Sequence, residues 1–222
     1  MSARSLILSV LLVLGGCSPS STGAPRTVVS LAHLDCSDCG LELARAMSKH
    51  PGVVRTRFDR RRSELVVQAD ASVDVLALAK SHARDEKYEL VLGPGKGSYL
   101  PMVTVPPGLD VAFIAKDGVD VADLASHRVA GKVTVMEFGA PWCEPCRKVD
   151  EHMVAVVAKK SDVAYRKLDI GEWDTPLAKH YLSEAEALPY LVVFGKDGAR
   201  IDAFGKLDLA RLERAIAAGG AP

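Results

Sequence analysis

The sequence predicts an α/β chain built in two parts, a smaller βαββαβ unit followed by a larger unit of mixed strands and covering helices. Its 222 residues, 48% hydrophobic and 25% charged, exceed one typical domain and can bury a core in each part. Two C-x-x-C pairs, Cys36/Cys39 and Cys143/Cys146, each stand where a run of β-formers gives way to a helical pattern. Between them "GPGKGSYLPMVTVPPG", residues 93–108, carries the glycines and prolines that interrupt helix and long strand alike.

In order, Thr27–Leu31 reads as a strand, Leu41–Lys49 as a short helix, and Val53–Phe58 and Glu64–Gln68 as strands around a polar turn. Val73–Ala83 then reads as a helix and Tyr88–Leu92 as a strand. This order is a split βαβ, or ferredoxin-like, unit over residues 27–93. The run Arg60-Arg61-Arg62 within it reads as a solvated turn. Residues 94–108 are the expected linker, flexible at its glycine-rich start and stiff at its proline-rich end, with a reach of roughly 50 Å at full extension.

The second unit spans residues 109–222. It opens with a short strand at Val111–Ile114 and a helix at Val121–Ser126. The strand Val133–Phe138 leads into a helix from about Cys143 to Lys159, then a strand at Ala164–Asp169 and a helix at Pro176–Leu182. A hairpin from Tyr190 to Gly205 turns at Lys196-Asp197-Gly198, and Leu209–Ala218 closes the chain as a helix.

Charge excludes one class of function. With 28 basic and 28 acidic residues the formal net charge is zero, so nothing in the balance points to nucleic acid. The N-terminus reads as an address: Arg4 precedes the apolar run Leu6–Leu14, long enough for a signal core and too short to span a bilayer. "LGGC", Leu14 to Cys17, resembles the lipobox of bacterial lipoproteins. That resemblance implies a signal peptide over residues 1–16, lipid on Cys17, a polar tether over 17–26, and attachment to a membrane facing the periplasm. Ser18 after the cysteine points to the outer membrane. The other reading is an ordinary secretory signal with an incidental Cys17.

Four cysteines then remain, in two pairs with none over. C-x-x-C is the spacing of redox centres and metal ligands, whereas structural bridges usually close longer loops. Cys143 lies at the start of an amphipathic helix, whose unpaired N–H groups stabilise a thiolate. Cys146, one turn on and on the same face, can attack a mixed disulfide on Cys143 and release the substrate. Trp142 and Pro141 would shape the surface around the sulfur, and Pro145 suits a first helical turn.

From about Leu109 onward the chain resembles the thioredoxin superfamily. Trp142, Cys143, Pro145 and Cys146 match W-C-x-P-C, and "ALPYLVVF" matches the cis-proline strand at Pro189. The resemblance implies a thioredoxin fold, a cis Leu188–Pro189 bond lying against the disulfide, protein thiols and disulfides as clients, and no cofactor beyond the cysteine pair. Glu137 stands where thioredoxins keep a buried aspartate, so burial should raise its pKa and let it take the Cys146 proton. The alternative is an edge-of-sheet glutamate reaching solvent. Gly139, Tyr190 and Glu151 depart from the usual tryptophan, threonine and proline. Those departures resemble exported, membrane-attached relatives, including reductases of cytochrome maturation.

The first pair, in a βαββαβ unit, resembles the heavy-metal-associated domain of copper chaperones, with "HPGVVRTRFD" matching the segment after that family's first helix. That resemblance implies a soft ion such as Cu(I) at Cys36 and Cys39, with His33 as a third-ligand candidate. A redox pair on a borrowed fold is the alternative. Three readings of the whole follow: a lipid-anchored thiol–disulfide oxidoreductase whose Cys143/Cys146 pair could keep Cys36/Cys39 reduced, a copper metallochaperone, or a passive lipoprotein with two structural disulfides. The electron donor is not named by the sequence.

Overall fold

The computed structural model describes residues 23–83 and 88–221. The signal run and Cys17 lie outside the described residues.

In the first unit β1 (Arg26–Ala32), α1 (Ser37–Met47), β2 (Val53–Asp59), β3 (Glu64–Ala69), α2 (Val75–His82) and β4 (Glu89–Leu92) follow one another in the expected βαββαβ order. The strands form an antiparallel sheet in the order β2-β3-β1-β4, the ferredoxin-like arrangement. Alternation sends Val29, Leu31, Leu65 and Val67 to one face, where they meet Leu43, Met47 and Ala79 of the helices. Gly40 lets α1 come close, because a Cβ there would lie 2.4 Å from the Phe58 ring. The helix begins at Ser37 rather than at the expected Leu41, since the Cys36 sulfur accepts the Cys39 N–H at 3.3 Å and caps the first turn.

In the second unit β5 (Val111–Ala115), β6 (Val133–Gly139), β7 (Val163–Asp169), β8 (Tyr190–Phe194) and β9 (Arg200–Gly205) form a mixed sheet in the order β5-β7-β6-β8-β9. Pairing is parallel among β5, β7 and β6 and antiparallel onward. Every residue of central β6 is buried, as its run of β-formers requires of a strand covered on both faces. Helices α3 (Glu144–Lys159) and α5 (Leu209–Gly219) close over Val135, Tyr165 and Val193 on one side. Helix α4 (Pro176–Tyr181) helps to cover Met136, Phe138 and Ile170 on the other. The expected helix at Val121–Ser126 is instead one 3₁₀ turn, Leu124–His127, because Asp123 Oδ1 accepts the Ala125 N–H at 2.8 Å and starts the turn late.

The glycine-rich start of the linker, expected to flex, is pinned to the first unit. Ser98 donates to Leu31 O at 3.0 Å and accepts from Leu34 at 2.8 Å, and Leu100 donates to Leu34 O at 3.0 Å. Gly97 sits so close to the turn after β2 that a Cβ would lie 2.2 Å from Arg62 O. The Tyr99 ring thereby packs against the cores of both units.

The solvated-turn reading also fails for Arg60. Its guanidinium lies 5.3 Å from the centroid of the Trp142 ring and 4.0 Å from Glu172, so this turn faces the second unit.

Candidate active site

Helix α3 starts immediately after Cys143, whose sulfur accepts the Cys146 N–H at 3.2 Å, and Pro145 occupies the first turn where no N–H is missed. Cys143 and Cys146 are joined as a disulfide and buried, at 4% and 0% exposure. Glu144 adds a negative charge there, and Lys148 one turn on pairs with it at 2.7 Å. Trp142 is turned inward rather than lying open around the sulfur: it is buried, and its Nε1 donates to Gly171 O at 2.7 Å. The Leu188–Pro189 peptide is cis and leads straight into β8.

Glu137 is buried beneath this pair at 1% exposure, and the edge-of-sheet alternative falls away because β6 is the central strand. Among the described residues its Oε1 has no hydrogen-bond partner. Gly139 is what leaves room between this oxygen and the resolving cysteine. A Cβ added there would stand 3.2 Å from Cys146 Sγ and 3.5 Å from Glu137 Oε1, so both atoms face one small space. Burial, reinforced by the negative charge of Asp150, pushes the Glu137 carboxyl up to about 8.

Three further residues complete the buried network, and sequence reasoning missed all of them. The Tyr165 hydroxyl bonds the Glu137 carboxyl and donates to Asp150 Oδ1 at 2.8 Å, and Lys167 Nζ pairs with the same Asp150 oxygen. The phenol has one proton for two carboxyl acceptors, so it donates to one of them at a time. Burial and the two carboxylates raise the Tyr165 pKa, which keeps the phenol a neutral donor. Alternation along β7 was the available signal: Tyr165 and Lys167 share the face of Val163, and in register they lie opposite Val135 and Glu137 of β6. A cavity of about 50 Å³, lined by Glu137, Gly139, Pro141 and Lys167 among others, adjoins the network. It has room for a water molecule through which the Glu137 proton can exchange.

This is chemistry for thiol–disulfide exchange. Cys143 Sγ attacks a substrate disulfide, Cys146 then attacks Cys143 Sγ, and Glu137 takes the Cys146 proton as the sulfur becomes nucleophilic. In the reverse direction the protonated carboxyl returns it to the departing Cys146.

The thioredoxin family profile matches residues 122–218. A thioredoxin H-type of Oryza sativa subsp. indica is 33% identical over 95 residues, which cover 43% of this chain and 74% of that protein. The chain belongs to the thioredoxin family. Thioredoxin H-type 1 of Nicotiana tabacum is 32% identical over 91 residues, covering 41% of this chain and 69% of its own length. A crystal structure of Fasciola hepatica thioredoxin is 27% identical, covers 41% of this chain and 84% of its own, and superposes with a TM-score of 0.35. The family and the Cys143/Cys146 pair together make the protein a thiol–disulfide oxidoreductase that needs no cofactor for its redox step. The matched stretch lies within the second unit, so the first is an addition to the thioredoxin domain.

The other predicted site residues lie in that addition. Cys36 and Cys39 form a second disulfide at the N-terminus of α1, and both are half-buried. His33 is exposed with a positive φ of 57°, and its N–H donates to Ser98 Oγ at 3.1 Å. Among the described residues no group of three or more His, Cys, Asp or Glu is arranged to hold a metal.

Proposed function

We propose that this thioredoxin-family protein reduces protein disulfides outside the cytoplasm while held to a membrane by lipid on Cys17. The observation that carries the reductase reading is the buried Glu137 with an unpaired oxygen beside Cys146 and a pKa of about 8. A base that titrates near the working pH both accepts the proton when Cys146 resolves and returns it when the bond is regenerated. The site therefore recycles, whereas a structural disulfide needs no base beneath it. Export and anchoring are supported by Arg4, the apolar run Leu6–Leu14 and "LGGC" ending in Cys17.

Copper handling enters as cargo at the first pair. Cys36 and Cys39 would carry Cu(I) between two sulfurs, with no third donor from the described His, Cys, Asp or Glu, and only after their disulfide is reduced. The metallochaperone reading makes this transfer the main activity and gives the thioredoxin domain the task of keeping Cys36 and Cys39 reduced.

Insulin reduction driven by dithiothreitol tests the reductase. Turnover should survive Cys36→Ser/Cys39→Ser and vanish in Cys143→Ser; equal rates in wild type and Cys143→Ser would sink the proposal. In the same preparations, membrane association should be lost on Cys17→Ala, and its persistence would refute the lipid anchor.

A further inference from the structure

The two disulfides belong to different units, yet the structure brings their neighbouring residues into contact. Arg147 follows Cys146 in α3, and Asp35 precedes Cys36 at the end of the first strand's loop. Arg147 Nη2 donates both to the Asp35 carboxylate and to the Asp35 backbone oxygen. The arginine is 8% exposed, an unusual depth for a guanidinium, and its Nη1 has no partner among the described residues. A second contact lies beside the first, where Arg60 of the first unit covers the Trp142 ring that precedes Cys143 and reaches Glu172. Tyr99 ties down the connecting segment between them, its ring in both cores. Docked in this way, the first unit covers the face of the thioredoxin domain on which a client disulfide would land, and Cys143 is 4% exposed.

We propose that the Cys36–Cys39 disulfide is an internal redox partner of Cys143 and Cys146, and that Asp35 and Arg147 are positioning residues that latch the two pairs together for exchange. The inference rests on the thiol–disulfide reading of Cys143/Cys146 and names the first substrate of that site. When an external dithiol has reduced Cys143 and Cys146, the Cys143 thiolate attacks one sulfur of the Cys36–Cys39 bond. That bond breaks, a Cys143 mixed disulfide forms, and the other sulfur of the first pair leaves as a thiolate. Cys146 gives its proton to Glu137 and attacks Cys143 Sγ, which closes Cys143–Cys146 and releases the second thiolate of the first pair. Two electrons and two protons have moved from one pair to the other, with solvent and Glu137 carrying the protons. The first unit then holds a dithiol, the form able either to pass electrons on to a further disulfide or to take up a soft metal ion. Release of the latch exposes Cys143 to external clients.

Trapping decides the matter on the full chain with Cys17→Ala, so that only the two pairs remain. Cys39→Ser/Cys146→Ser and Cys36→Ser/Cys146→Ser each leave one thiol of the first pair facing Cys143. Diamide oxidation at micromolar protein should give a Cys143 cross-link to Cys36 or to Cys39 within one molecule, identified by peptide mass spectrometry. Tethered sites have an effective concentration of about a millimolar, so its rate should be independent of protein concentration and about a thousandfold above that between separate molecules at 1 µM. Asp35→Ala should slow it about tenfold, and Asp35→Arg combined with Arg147→Asp should restore it, which a merely structural role would not do. Cross-links only between molecules, or none in either variant, overturn the internal partner. An unchanged rate in Asp35→Ala overturns the latch. If insulin reduction by the wild type proceeds while these traps fail, the internal exchange alone is wrong; if insulin reduction is also absent, the oxidoreductase reading has failed with it.

Discussion

Replacing Glu137 by glutamine should stabilise the oxidised protein, increasingly so as pH rises. The carboxyl is 1% exposed on the central strand, and burial together with Asp150 moves its pKa from 4.5 to about 8. Between those values the folded state keeps a proton that the unfolded chain has already lost. The folded state binds more protons there, so stability falls as pH rises, and it levels off once both states are ionised above about 8. Each pH unit in the window costs about 1.4 kcal/mol, and the whole window about 5 kcal/mol. Glutamine is neutral throughout and can keep a hydrogen bond to Tyr165. The difference between Glu137→Gln and wild type should therefore be small at pH 4.5, grow steadily toward pH 8, and stay constant above it. Guanidinium unfolding followed by tryptophan fluorescence measures this selectively, because Trp142 and Trp173 are the two tryptophans and both lie in the thioredoxin domain. A difference that does not change with pH would refute the buried, proton-holding carboxyl. So would a wild type that gains stability on the variant as pH rises. The same substitution should slow insulin reduction about a hundredfold, since the proton acceptor for Cys146 is gone.

Two other substitutions probe neighbouring parts of the structure. Asp150→Asn removes a charge that raises the Glu137 pKa, so the pH at which stability levels off should move downward, while the loss of Lys167's buried charge partner at neutral pH lowers stability by about 3–5 kcal/mol; an unmoved break in the pH profile would show that the two acids do not interact. Gly97→Ala drives a Cβ against the Arg62 and Ser63 carbonyl oxygens and should cost about 1–3 kcal/mol. Limited proteolysis within residues 93–108 should quicken accordingly, and unchanged cleavage would mean that the segment is not pinned by this contact.

Much of this architecture is legible along the chain because it follows from local patterns. The β-formers of β6 ending at a W-C-x-P-C helix start, and the period-two runs of the first unit, announce strands and helices in an order that few topologies satisfy. Cys143, Cys146, Glu137 and Pro189 could be singled out because each belongs to a short motif or stands as an exception in a uniform run. Tyr165, Lys167 and Asp150 could not. Their meaning depends on the register of β7 against β6 and on the turn of α3 that faces both, and each looks ordinary in its own element. Arg60 and the glycines of the linker misled for the converse reason. A basic turn and a Gly/Pro-rich segment are usually solvated, and only the tertiary fold sets Arg60 against the second unit and pins the start of the linker to the first.

The sequence by itself determined that there are two cysteine pairs on two helix starts and that one of them sits above a carboxylate, because strand–helix periodicity and C-x-x-C spacing are local properties of the chain. Tertiary structure alone decided that Glu137 holds its proton to about pH 8 and that Asp35 reaches Arg147. Desolvation depends on everything packed around a group, and a contact between residues 112 positions apart is made by two folded units meeting.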